Sequence, residues 1–170
     1  MRWAVAGSVT SHCSCACATY DGLAAAVLEV VGEAGYRDFV RRLVAMIIVG
    51  NTDAHLKNWA FRYPAGRRVE LAPVYDFHSL TVYDRFRYAP LALSLNGEVM
   101  TAHLSPDDFR WLADRIGADA ETTVQVVESA VHELRRAWAS GVRDEVEDRF
   151  PALAKHYEHR LLSLPLAAAV

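Results

Sequence analysis

The chain has 170 residues, 52% apolar and 23% charged, with a formal net charge of -3. That length suits one domain with a core of useful size, and the apolar content excludes an intrinsically disordered protein. The slight acidity lacks the basic excess with which proteins neutralise nucleic-acid phosphates, and no window holds the roughly 18 uninterrupted apolar residues of a membrane span. Neither direct nucleic-acid binding nor a membrane partner is expected.

Residues 1–19 are set apart as an unassigned tail. Cys13, Cys15 and Cys17 form C-x-C-x-C, whereas structural zinc sites favour C-x-x-C pairs and need four ligands, which adjacent His12 would serve poorly. An odd cysteine count argues against a disulfide framework and for a reducing, cytoplasmic setting. The apolar run behind Arg2 is too short and too broken by Ser, Thr and His for a signal peptide. The tail is expected to be disordered, its thiols incidental.

From Tyr20 the pattern becomes helical. Leu23, Ala26, Val27, Val30 and Val31 recur at helical spacing, and Gly32 and Gly35 close the segment. A second helix is predicted over Arg37 to Val49. Phe39, Leu43, Met46 and Ile47 make one face, Val40, Val44 and Ile48 widen it, and Arg37, Arg41 and Arg42 are expected in solvent. So broad an arc predicts a helix buried on much of its circumference. Gly50 and Asn51 then end it, since both residue types accept the left-handed conformation of a C-terminal cap.

The loop from Asn51 to Asn58, NTDAHLKN, is densely polar between two apolar segments. Asx turns and capping would explain Asn51 and Asp53 structurally. Asp53 and Asn58 also stand in the pattern D-x-x-x-x-N, and Asp76 follows in V-Y-D within apolar LAPVYDFHSL. A buried carboxylate there would need a partner or a metal. Trp59, Phe61 and Tyr63 alternate as a strand, Pro64-Ala-Gly-Arg is a turn, and Val69, Leu71 and Val74 suggest the return strand. The hairpin carries Asp76 back toward Asn58. Two carboxylates and a carboxamide form the oxygen-only set that Mg²⁺ prefers, which points to phosphoryl transfer. Protein kinases arrange a C-lobe in this way, with a catalytic-loop Asp as base and an Asn and a second Asp on the metal.

After Asp76, Arg85, Phe86, Arg87 and Tyr88 read either as a peptide-contacting surface or as an irregular loop packed on the core. Leu91, Leu93 and Leu95 alternate into the turn Asn96-Gly97. Ser105-Pro-Asp-Asp opens a helix that Gly117 stops, and a longer helix is predicted from Ala120 to Ala139 with Gly141 as its cap. A last helical stretch covers Arg143 to Leu162 with a break at Pro151. His132, His156 and His159 are read as surface histidines.

The motif G-N-T-D-A-H-L-K-N, followed by L-A-P-V-Y-D and L-A-L-S-L-N-G, resembles the C-terminal kinase domain of the HipA family, toxin kinases of bacterial type II toxin-antitoxin modules. The resemblance covers residues 20–166. It implies a mainly α fold with a small β-hairpin element, a protein-kinase-like C-lobe. It implies Asp53 as catalytic base, Asn58 and Asp76 as Mg²⁺ ligands, and His55, Lys57 and Tyr75 near the nucleotide. Mg²⁺, ATP as substrate, a serine or threonine hydroxyl of a protein substrate and an antitoxin partner are implied with them. The family's N-lobe has no counterpart here: one lysine, Lys57, precedes Asp76, and no G-x-G-x-x-G occurs. A truncated or frame-shifted gene would give such a chain, and without the N-lobe it is expected to be inactive. One alternative is a non-catalytic kinase remnant that binds an antitoxin or a separately encoded N-lobe. Another is a hydrolytic metal site assisted by His78.

Overall fold

The computed structural model describes residues 18–64, 66 and 68–170. The expected disorder and the cysteine motif of the tail fall outside the described residues. The last two tail residues are part of the packed chain: Ala18 lies against the core, and the Thr19 side chain caps the first helix by accepting from the Gly22 N–H.

The described residues are mostly helical, with one small sheet. Helix α1 spans Tyr20–Val31 and α2 Glu33–Val49; strands β1, Phe61–Arg62, and β2, Glu70–Leu71, follow. Next come α3, Pro106–Ile116, α4, Ala120–Ala137, α5, Arg143–Arg149, α6, Pro151–Ser163, and α7, Pro165–Ala168. The hairpin is antiparallel with Phe61 opposite Leu71 and Arg62 opposite Glu70. Only four residues pair. Pro64 and Pro73, beyond the paired residues, could donate nothing to a longer ladder.

Helix α2 is the central element. Phe39, Val40, Leu43, Val44, Met46, Ile47 and Ile48 are all buried, as a wide apolar arc requires. Helices α1, α4 and α6 pack around it. Arg42 departs from the solvent position expected of it, donating to Asp38 and to the Ala72 carbonyl and so tying α2 to the hairpin exit. On α1 the core line is Tyr20, Ala24 and Val27, whereas Val30 is 44% exposed. The helix is set by where Tyr20 anchors it, and Val30 falls outside the contact.

Leu91, Leu93 and Leu95 point into the core, and Asn96 and Gly97, with φ of 53° and 85°, make the tight turn predicted for them. The Ser105 N–H donates to the Asp108 carboxylate at 2.8 Å, the return half of a capping box opening α3. Between α4 and α5 the chain kinks at Gly141, whose φ of 107° only glycine adopts easily. No helix among the described residues is long and apolar enough to cross a membrane.

Candidate functional site

The polar loop starts from a rigid support. Gly50 caps α2 in the left-handed conformation with φ 84°, and a Cβ there would lie 1.9 Å from Thr81 Oγ1. Glycine is therefore required twice over, by backbone and by space. The Gly50 carbonyl accepts from the Leu80 N–H at 3.0 Å and the Thr81 N–H at 3.3 Å. Thus the loop's entry is fastened to the segment just beyond Asp76.

Asn51, fully buried, connects the two halves of the site. Its Nδ2 donates to the Asp76 carbonyl at 3.2 Å and its Oδ1 accepts from the Asp53 N–H at 3.3 Å. Asp76 has φ of 55°, a left-handed conformation that aspartate tolerates at a cost and that the Asn51 amide secures. Asn58 ends a single 3₁₀ turn, Leu56–Asn58, and its Nδ2 donates to Asp76 Oδ2 at 2.7 Å. A carboxylate only accepts, so the amide's oxygen must face elsewhere. That Asn58 Oδ1 is buried without a hydrogen-bond partner. An orphaned acceptor of this kind costs about 1–3 kcal/mol unless a donor or cation meets it.

Asp53 is exposed at the loop surface, as is Lys57; His55 is half-buried, its Nδ1 closed off with no partner. The Tyr75 hydroxyl donates to the Lys57 carbonyl at 2.5 Å, a second tie between loop and hairpin exit. His78 Nδ1 stands 3.5 Å from Asp76 Oδ1. The apolar flanks of Asp76 predict a buried side chain. Its side chain is instead 53% exposed, and Val74, Tyr75 and Phe77 are each 43% exposed. The segment crosses the surface, its apolar side chains spread over an open face. Of the residues singled out, Asn58 and Asp76 touch directly, Tyr75 reaches the Lys57 backbone, and Asp53 is joined to the group through Asn51.

Three supporting residues carry no sign of that role in the sequence. Asn51 reads there as a helix cap. The Tyr20 hydroxyl donates to the Ala54 carbonyl at 3.0 Å, and burial pushes its pKa well up. Arg160, on α6, is 6% exposed and donates through Nε to the Ile48 carbonyl at 2.8 Å and through Nη2 to the Ile47 carbonyl at 2.6 Å. It thereby caps the end of α2 beneath the loop. Desolvation lowers its pKa to about 10. No local signal marks Arg160, because the two carbonyls it caps lie more than a hundred residues away. His156, expected at the surface, is half-buried with Nε2 2.8 Å from Thr81 Oγ1, since α6 packs against the segment after Asp76.

The sequence model of the HipA-like C-terminal domain matches residues 7–138. The chain belongs to this HipA-like family. Among its relatives, "Putative kinase Y4dM" of Sinorhizobium fredii is 29% identical over 130 residues, 71% of this chain and 32% of that protein. A "Putative kinase" of Haemophilus influenzae is 36% identical over 80 residues, 45% of this chain and 23% of that protein. A chain of the solved complex of Shewanella oneidensis HipA, HipB and operator DNA superposes with a TM-score of 0.67 at 19% identity, over 89% of this chain and 34% of that one. The last likeness shows the HipA-like fold. The chain spans about a third or less of the length of each of these proteins.

Proposed function

We propose that this chain is the C-terminal catalytic lobe of a serine/threonine protein kinase, the toxin of a type II toxin-antitoxin module, which transfers phosphate from Mg·ATP to a protein hydroxyl. The observation that carries the reading is the Asn58–Asp76 pair, 2.7 Å apart, with the orphaned Asn58 Oδ1 beside an exposed carboxylate. The Asp76 carboxylate and the Asn58 carboxamide offer oxygen donors, which suit a hard cation such as Mg²⁺, and His78 Nδ1 is the neighbouring nitrogen, 3.5 Å from Asp76 Oδ1. The Asp76 carboxylate would hold it, joined by Asn58 Oδ1 once the carboxamide turns over and gives up its hydrogen bond to Asp76, and magnesium would supply charge neutralisation on the phosphates.

Asp53 would act as base, a role its exposure at the loop surface supports. It takes the hydroxyl proton as that oxygen bonds to the γ-phosphorus and the bond to ADP breaks. Asn51 ties the Asp53 backbone to the Asp76 backbone. His55, Lys57 and Tyr75 are assigned to the nucleotide, with the Tyr75–Lys57 hydrogen bond fixing the rim between them. Phosphoryl transfer depends on positioning and electrostatic stabilisation. The 170 residues contain no glycine-rich phosphate loop and only two lysines, Lys57 and Lys155, so the chain by itself is expected to transfer little phosphate.

Mg·ATP-dependent phosphorylation of a protein acceptor, assayed with the chain joined to or mixed with an N-lobe, tests the proposal. Asp53→Asn should lower the rate at least ~100-fold; an unchanged rate would sink it. The exposure of Val74, Tyr75 and Phe77 favours a second reading, a kinase remnant that binds an antitoxin or N-lobe protein without catalysing. Activity appearing only in a co-purified complex supports the first reading; a stable complex with no activity supports the second.

A further inference from the structure

Away from the loop, cations gather in a chain whose net charge is -3. Arg87, His156 and His159 line two adjoining cavities of about 340 and 470 Å³. Arg160 lines the first and Lys155 the second, and both belong to α6. Asp84 is the acid among these lining residues, and it is held by Arg87 at 2.6 Å in an exposed pair. Such pairs contribute little, and Arg87 can exchange its partner cheaply.

Arg160 is what makes the first cavity a built site. Its Nε and Nη2 are committed to the Ile48 and Ile47 carbonyls and to Thr101 Oγ1. Nη1 has no hydrogen-bond partner among the described residues, and Arg160 lines the cavity. No carboxylate among the described residues pairs with Arg160. A guanidinium that is 6% exposed, carries a free nitrogen and lacks a counter-charge is an unbalanced buried cation. Thr101 and Ser163 add hydroxyls to the same wall.

We propose that this cavity binds a phosphate dianion, free or as a monoester, held by Arg160 Nη1, Arg87 and the rings of His156 and His159. The two guanidinium groups supply charge-assisted donors to phosphate oxygens, and an imidazole N–H can add to them. A volume of about 340 Å³ leaves room for the group that carries the ester. Burial, Arg160, Arg87 and His159 together hold His156 below its ordinary pKa, and a bound dianion opposes that shift. The charged groups around His156 are Asp84 and Arg87, at the start and just past the end of the 3₁₀ turn Asp84–Phe86, and Lys155, His159 and Arg160 from its own helix. Occupancy would also brace the loop, since His156 holds Thr81, Thr81 holds the Gly50 carbonyl, and Arg160 holds the last turn of α2. This inference stands independently of phosphoryl transfer.

The test follows the ring C–H resonances of His156 and His159 in the full chain by NMR, titrating inorganic phosphate, O-phosphoserine and chloride at matched ionic strength. Saturable shifts with the two phosphate probes but not chloride, and a rise in the His156 pKa, are expected. The tighter of the two probes identifies free phosphate or a phosphorylated side chain as the source. Because Arg160 also holds α2, Arg87→Gln carries the mutational arm and should weaken phosphate about tenfold with unchanged circular dichroism. Equal responses to phosphate and chloride, or equal affinity in Arg87→Gln, would overturn the site.

Discussion

Gly50 concentrates the demands of the site in one residue. With φ of 84° and Thr81 Oγ1 in the place of a side chain, it allows α2 to stop and the loop to leave. Gly50→Ala should destabilise the fold by at least ~1–2 kcal/mol from backbone strain alone, read from urea unfolding midpoints at constant slope. His156 gives a second residue-scale prediction. Burial, then Arg160, Arg87 and His159, lower its pKa from the ordinary 6.5. The unfolded chain therefore takes up the proton first as pH falls. The stabilising contribution is present above pH 6.5 and is lost as pH drops through the folded-state value. Melting temperatures measured between pH 7.5 and 5.5 should fall less steeply in His156→Gln, and identical slopes would refute the assignment.

At the scale of elements, the loop is held from three sides. Tyr20 of α1 reaches Ala54, Asn51 reaches the Asp76 carbonyl, and Arg160 of α6 reaches the end of α2. The α6 contact makes a remote helix part of the site's foundation. Arg160→Met removes a desolvated charge but strands the Ile47 and Ile48 carbonyls, and the second effect should dominate. A net loss of about 2–3 kcal/mol is expected, together with faster amide exchange at Gly50 and Asn51, whose N–H groups donate to the Met46 and Ile47 carbonyls of the same turn. Stability equal to that of the parent chain would show that water replaces the guanidinium without cost.

For the whole molecule, the unpartnered face around Val74, Tyr75 and Phe77 and the coverage of about a third of each HipA-like relative belong together. Apolar side chains spread beside an acidic site are expected to be covered by protein when the site works. On the proposed function, Mg·ATP should bind the isolated chain weakly by calorimetry and more tightly when an N-lobe is supplied. Binding equally tight in both settings would mean that this lobe is sufficient by itself.

Much of this was legible in the residues. The apolar arc of α2, the Gly50 stop, the Asn96-Gly97 turn and the Ser105 capping signal are local patterns, and a chain that satisfies them has little freedom to do otherwise. The pairing of Asn58 with Asp76 could be anticipated because a short hairpin joins them. Sequence could not decide the exposure of Asp76, since apolar neighbours signal burial only if the segment runs inward, and here it crosses the surface. Nor could it assign Arg160, His156 or the bridging role of Asn51. Their partners are set by how α6 and the segment after Asp76 pack on α2, and that packing exists only once the whole chain has folded.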